Sequence, residues 1–345
     1  MSCGAFSGFL DFYHGLLEHS CERSSSRRES FSAEIDTAVV PWPSPNLEVN
    51  VAEIISEAAG RGWESTAPEI AAQLYLDLMK KCLTRFIFPD TSRPINTRPS
   101  RRLHPIAWAM YPTVTAVLAK LNVKLFRYVP FNQAVREDGR DLPLEADTMI
   151  GLKRLENIQY CVTEVIRKNV PGDFIETGVW RGGASIFMRA VLKVYGDQTR
   201  LVWVADSFEG LPKPDGRYQQ DAGNRFWKMS HTLGVSLEQV KANFTRYGLL
   251  DEQVRFLVGW FKDTLPTAPI KQLAVLRFDG DMYSSTMDAL QSLYHRLSLG
   301  GYVIIDDYGA IPNCKQAVDD FRAEHKITEQ LHQIDWTGVF WEKLR

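Results

Sequence analysis

From about residue 149 onward the chain alternates short apolar runs with stretches whose apolar residues recur at helical spacing, and few folds accept such a pattern. Residues 151–169 read as a helix that stops at Pro171-Gly172. Residues 173–176 read as a strand, followed by a glycine-rich turn and a helix over 184–195. Further strands are expected at 201–206, 254–258, 273–279 and 302–306, with helices over 285–297 and 313–325. The spacing Ser285-x-x-Asp288 predicts a capping box at the start of the first of these helices. Strands alternating with helices of this length make an α/β chain with a parallel, doubly wound sheet. The end of the chain departs from the pattern. Residues 327–334 and 339–344 are strand-like and are joined through Asp335 and Gly338, with no room for a helix, so they are expected to close the sheet as an antiparallel hairpin.

Upstream, the pattern predicts two further regions. Residues 66–148 read as a helical cap, with Ile70, Leu74, Leu78 and Leu83, and Tyr75 and Met79 between them, at three- and four-residue spacing, a proline-containing loop (Pro89, Pro94, Pro99) and a second helix over 106–125. Residues 1–65 read as an extension with a Ser/Arg-rich segment at 20–32. Its linker, Pro41-Trp42-Pro43-Ser44-Pro45, should resist regular structure because each proline fixes φ and lacks a donor.

The net charge of -2 gives no pull toward nucleic acid or an anionic membrane, and no apolar run approaches the ~18 residues of a membrane span. The five cysteines are scattered, odd in number and never in C-x-x-C spacing, which argues against both a disulfide framework and a zinc site. The N-terminus lacks the basic start of a signal peptide, so the cytoplasm is the expected compartment.

In an open α/β sheet the ligand binds beyond the carboxyl ends of the strands, so chemistry is sought there. After the first strand comes Glu176-Thr177-Gly178-Val179-Trp180-Arg181-Gly182-Gly183. Its glycines are not spaced as in a dinucleotide loop, and Glu176 would repel a pyrophosphate. A carboxylate there better matches S-adenosylmethionine, which carries a sulfonium and an ammonium; a purely structural turn is the alternative. Asp206 ends the second strand, where it can accept the ribose hydroxyls of an adenosine, with Ser207 beside it. Five parallel strands closed by a hairpin likewise suit the class I methyltransferase version of the Rossmann-like sheet better than the dehydrogenase version.

The fourth and fifth strands end in Asp279-Gly280-Asp281 and Asp306-Asp307. Neighbouring strands lie about 4.8 Å apart, which crowds four carboxylates unless a cation or protons neutralise them. Oxygen ligation without Cys or His favours a hard ion, Mg²⁺ before Mn²⁺ or Ca²⁺. Asp279, Asp306 and Asp307 are the expected ligands and Asp281 the candidate general base, with helix capping and solvated loops as the competing explanation. His231, in a loop over residues 213–234, is a rival base. Trp180, Trp227 and Trp260 are candidates for the pocket wall or for core packing, and Trp260 is counted with the cofactor-binding set.

The runs at residues 171–183, 206–212, 259–266, 278–283 and 300–308 strongly resemble the macrocin O-methyltransferase family. The resemblance implies a Mg²⁺-dependent transfer of methyl from S-adenosylmethionine to a sugar hydroxyl of an antibiotic such as a macrolide or aminocoumarin. It maps the metal aspartates to Asp279, Asp306 and Asp307 and the base to Asp281. It further implies a homodimer, an N-terminal helical lid and a small glycosylated acceptor. A catechol-type acceptor would satisfy the same metal chemistry. A nicotinamide dehydrogenase and a non-catalytic binding module on the same fold are the other readings.

Overall fold

The computed structural model describes residues 40–41, 67–94 and 113–345, with 115 and 119 excepted. Its strands are β1 (Val40–Pro41), β2 (Ser92–Pro94), β3 (Phe126–Tyr128), β4 (Asp173–Thr177), β5 (Val202–Asp206), β6 (Val254–Val258), β7 (Leu273–Phe278), β8 (Leu297–Ile305), β9 (His332–Gln333) and β10 (Val339–Glu342). The helices are α1 (Ala67–Leu83), α2 (Gln133–Glu137), α3 (Leu152–Arg167), α4 (Gly183–Val194), α5 (Ser230–Leu233), α6 (Leu237–Arg246), α7 (Phe261–Thr264), α8 (Tyr283–Leu293) and α9 (Pro312–Glu324). No helix among the described residues is long and apolar enough to cross a membrane.

One eight-stranded sheet runs in the order β1-β9-β10-β8-β7-β4-β5-β6. The strands β8-β7-β4-β5-β6 are parallel, and β10 and β9 close the sheet as the expected antiparallel hairpin. Alternation along each strand sends side chains to two cores. Phe174, Val202, Val204, Val275 and Ile304 join α1, α3, α4 and α6 on one face. Ile175, Trp203, Leu276, Val303 and Ile305 join α8 and α9 on the other.

Four expectations change. Val40–Pro41 is a strand rather than linker, pairing in parallel with His332–Gln333. Proline is admitted because β1 is the outermost strand, whose open side has no ladder to feed. Second, the fifth parallel strand begins five residues earlier than expected, at Leu297. Third, the stretch read as a cap contains an antiparallel ribbon, β2 with β3, and α1 shares the sheet domain's core through Leu76, Met79 and Leu83. Of its second expected helix, the described residues from 113 to 120 are helical and 121–125 are not, while 106–112 lie outside the described residues, as do the extension apart from β1 and Pro99. Fourth, α8 begins at Tyr283 with Met282 as an N-cap that makes no side-chain bond, so Ser285 lies inside the helix and no capping box forms.

The turn after β4 fixes how closely β7 can approach. Gly178 has φ 85°, and a Cβ there would fall on the carbonyl oxygen of Asp279. Gly196 has φ 67° but a Cβ there would meet nothing within 4 Å. Gly196→Ala should therefore cost only the about 1–2 kcal/mol of a left-handed side chain, whereas Gly178→Ala adds an overpacking cost of about 1–3 kcal/mol. Urea unfolding of the two variants, side by side, measures the difference.

Candidate active site

Period-two alternation builds the site before any loop contributes. Glu176 and Arg277 are register partners on β4 and β7, and Arg277 is in turn paired with Ile304 on β8. Glu176, Arg277, Asp279 and Asp306 thus follow the parity of Phe174, Val275 and Ile304, toward the face covered by α3. The Asp279 N–H donates to the Thr177 carbonyl and that of Asp306 to the Phe278 carbonyl, both at 2.9 Å, so the ladder carries on into the acids.

Arg277 is 1% exposed and sits among these acids. It donates to Glu176 Oε1 at 2.6 Å and Asp279 Oδ2 at 2.9 Å, and also to Asp306 Oδ1. Arg154, arriving on α3, bridges Asp306 Oδ2 and, at 2.9 Å, Asp335 Oδ2. Asp335 in turn accepts the N–H groups of Thr337 and Gly338 in the β9–β10 turn. Two guanidiniums thus face Glu176, Asp279, Asp281, Asp306, Asp307 and Asp335. Burial, with that shortage of positive charge, raises the pKa values of Glu176, Asp279, Asp281 and Asp307. Burial, offset in part by Arg277, pushes Glu176 up to about 7. Asp279 is raised by burial and by Asp306, Asp281 by burial, Asp279 and Asp306, and Asp307 well above its usual range by burial, then Asp281, Asp279 and Asp306.

The acids fit a metal. One carboxylate oxygen from each of Asp279, Asp306 and Asp307 lies within 4.8 Å of the others. Asp307 Oδ2 is buried without a hydrogen-bond partner among the described residues. An all-carboxylate set of this size suits a hard divalent cation. These acids, with Asp281, line a small cavity of about 80 Å³. It shares Met149, Trp180, Leu233, Asp279 and Asp281 with a cleft of about 560 Å³.

The larger cleft holds most of the residues expected to meet a cofactor. Gly178, Asp206, Ser207 and Trp260 line it. The Asp206 carboxylate braces the site, accepting the N–H groups of Val179 and Phe208, each at 2.8 Å. Its pKa is raised by burial against these bonds, which lower it. Ser207 Oγ donates to the Gly210 carbonyl at 2.8 Å and accepts the Glu209 N–H at 3.1 Å, so it shapes the turn. Glu176 reaches the small cavity but commits one oxygen to Arg277 and the other to Ser185. Thr177 and Gly182 line neither cavity. Thr177 is buried, with its hydroxyl toward the Arg277 carbonyl at 3.5 Å. Gly182 has φ 86° and lies against Val240 and Phe244, where a Cβ would be too close.

Trp180 and Trp227 line the cleft, Trp180 with φ 47°. Asp281 is also left-handed, at φ 57°. Strain of about 1–3 kcal/mol per such residue is tolerated where surrounding structure holds it, as at these two strand ends. His231 belongs to α5, but its side chain lies outside the described residues.

Sequence reasoning gives no site role to Arg154, Arg277, Ser185, Asp221 or Asp335. A signal existed for two of them. Arg277 is the one charge within the apolar run of β7, and Arg154 falls on the same helical face as Ile158, Cys161 and Val165.

A doubly wound sheet with this strand order and a cleft at its carboxyl edge defines a class I, S-adenosylmethionine-dependent methyltransferase. Residues 72–343 match the family model described as Macrocin-O-methyltransferase (TylF), and the chain belongs to that family of O-methyltransferases. A Streptomyces olivaceus protein named 8-demethyl-8-(2,3-dimethoxy-alpha-L-rhamnosyl)-tetracenomycin-C 4'-O-methyltransferase is 52% identical over 274 residues, covering 79% of this chain and 94% of its own. Demethyldecarbamoylnovobiocin O-methyltransferase of Streptomyces niveus is 48% identical, covering 79% and 95%. Mycinamicin III 3''-O-methyltransferase of Micromonospora griseorubida is 45% identical, covering 80% and 99%. The solved structure of the O-methyltransferase NovP is 47% identical, covers 79% of this chain and 100% of that one, and superimposes with a TM-score of 0.67. The family decides for the methyl donor and against the nicotinamide reading.

The raised carboxyls make metal-free stability depend on pH. Because their folded pKa values exceed the unfolded ones, the folded state holds extra protons between the ordinary carboxylate range and about 7. Stability is then lost as pH rises through that window. In chelator, the urea midpoint is expected to be higher at pH 5.5 than at pH 8, and Asp307→Asn is expected to flatten the difference. A midpoint that rises with pH across this window contradicts the assignment.

Proposed function

We propose that this chain is a Mg²⁺-assisted O-methyltransferase that moves the methyl group of S-adenosylmethionine to a hydroxyl of a sugar on a glycosylated natural product of the macrolide-antibiotic type. The observation that carries this reading is the adjacency of the two cavities. The cleft bearing Asp206 and Trp260 adjoins the pocket of Asp279, Asp306 and Asp307, and Asp281 lines both. The relatives' names supply the acceptor class, since one specifies a rhamnosyl-tetracenomycin.

Asp206 would accept the ribose hydroxyls with the lone pairs its backbone bonds leave free, and Trp260 and Gly178 would flank the cofactor. Asp279, Asp306 and Asp307 would hold the metal, which when bound lowers the pKa of a hydroxyl it touches. Asp281, the half-buried acid facing both cavities, takes the proton as the hydroxyl oxygen attacks the methyl carbon and the carbon–sulfur electron pair returns to sulfur. In the metal-free site burial and the carboxylates of Asp279 and Asp306 raise Asp281; a cation held by those two acids would offset their share and leave burial to favour proton uptake. Glu176 and Arg277 act by holding Asp279 and Asp306 in place. The protein works as a cytoplasmic homodimer; Val117, Leu121, Phe126 and Tyr128, apolar and exposed, are the surface a second subunit would cover.

Asparagine is at home in the left-handed region, so Asp281→Asn preserves the turn and removes only the base. Turnover should fall by about 10²–10⁴-fold, with S-adenosylhomocysteine affinity by calorimetry nearly unchanged. Turnover like that of the unsubstituted enzyme removes Asp281 from the mechanism. Mass spectrometry of a panel of sugar-bearing and catechol acceptors, with and without chelator, tests the reaction. A methylated glycoside that disappears with chelator is expected; methylation of the catechols alone overturns the acceptor class, and full activity in chelator overturns the metal.

A further inference from the structure

Residues 213–234 form one wall of both cavities: Arg217 and Trp227 face the larger, Phe226 and Met229 the smaller, and Leu233 both. Polar contacts at two places, together with the Tyr218 ring 5.2 Å from that of Tyr283, tie this wall to α8. One is the paired contact of Arg217 with Asp288, both bonds 2.8 Å. It is solvent-exposed on the arginine side, so screening leaves it weak.

The other attachment is buried. Asp221, 1% exposed, accepts the N–H of Tyr283 on Oδ1 at 3.1 Å and that of Ser284 on Oδ2 at 2.8 Å. Asn313 on α9 donates to Asp221 Oδ1 at 3.1 Å and to the Gln220 carbonyl at 2.8 Å. The first N–H groups of a helix lack internal partners and favour negative charge. Met282, the residue at the N-cap of α8, makes no side-chain bond, so the cap is supplied by Asp221, 62 residues earlier in the chain. The helix is anchored independently, because Tyr283, Met287, Leu290 and Leu293 are buried in the core beneath it. If the cap is lost, the wall is the partner free to move.

We propose that Asp221 is a positioning residue that latches the wall of residues 213–234 onto α8 and so sets the affinity for the acceptor. The inference rests on the reading of this cleft as the place of methyl transfer. α8 stays on its core and the turn holding Asp281 stays with it, so releasing the latch weakens acceptor binding far more than it slows the chemical step.

Trypsin and steady-state kinetics test this on the full-length enzyme. Arg217, Arg225 and Lys228 are cleavage points in the wall; exposed Lys193 and Lys241 are controls outside it. In Asp221→Ala, cleavage within the wall should accelerate about tenfold or more, as expected for losing charge-assisted hydrogen bonds, with the controls unchanged. With a rhamnosyl tetracenomycin bearing a free 4'-hydroxyl as acceptor, KM should rise about tenfold while kcat stays within about threefold. Asp221→Asn, which keeps one acceptor and guards against a misfolded alanine variant, should fall between. Unchanged cleavage in the wall, or equal acceleration at every point, overturns the latch. An unsubstituted enzyme that methylates no glycoside instead overturns the functional reading, and cleavage still reports on the latch.

Discussion

Arg277 stands near the carboxyl end of β7, bonded to Glu176 across one strand boundary and to Asp306 across the other. Taking a guanidinium and three carboxylates out of water costs several kcal/mol per ion, recovered only where geometry and hydrogen bonds are good. Here the recovery comes from strand register, which pairs Glu176 with Arg277 and brings Asp279 and Asp306 level at adjacent strand ends. A slip of one residue in β7 would send Arg277 into the apolar layer of Ile175 and Leu276. The cluster therefore selects one register, and that register fixes the Asp279–Asp281 turn and Asp306–Asp307 relative to the cleft.

Arg154 extends this constraint outward. Its bridge from Asp306 to Asp335 joins α3, the end of β8 and the β9–β10 turn. The closing hairpin is thus part of the site's support, although neither β9 nor β10 lines a cavity. Asp206 plays the matching part on the other side, where its carboxylate holds the Gly178–Trp180 turn and the turn after β5 at once. Both acids illustrate how residues at strand ends shape a site by binding backbone as much as by meeting a ligand.

The sheet was legible because apolar runs and helical periodicity are local properties of the chain, and the hairpin because no helix fits between its strands. The acids were legible because strand ends are where an α/β sheet places ligands. What escaped depended on contacts across the fold. Glu176 reads from sequence as a ligand for a cation, and it does meet one, but the cation is Arg277 from a strand about a hundred residues on. Thr177 and Gly182 sit in a motif next to the cleft, yet the packing of Phe244 and Val240 accounts for Gly182. Ser285-x-x-Asp288 has the letters of a capping box, but α8 starts two residues sooner because Asp221 caps it from elsewhere. Pro41 looked like a strand breaker because nothing local reveals that β9 offers an open edge.

The separation between sheet and wall bears on how such an enzyme changes acceptors. The acids come from strand ends locked by register, so a substitution among them disturbs the support of the whole cluster. The wall of residues 213–234 is tied to its neighbours by polar contacts of Asp215, Arg217, Asp221 and Ser230 and by Tyr218 packed on Tyr283, while Trp227, Met229 and Leu233 face the cavities. Replacing Trp227, Phe226 or Met229 alters the volume and polarity offered to an acceptor without touching Arg277 or its carboxylates. In the proposed reaction the chemical step and the choice of acceptor thus fall to parts of the chain with different packing constraints. A half-buried acid set among register-locked carboxylates, as the proposed base Asp281 is, accepts little variation, and the cavity-facing side chains of the wall accept a great deal.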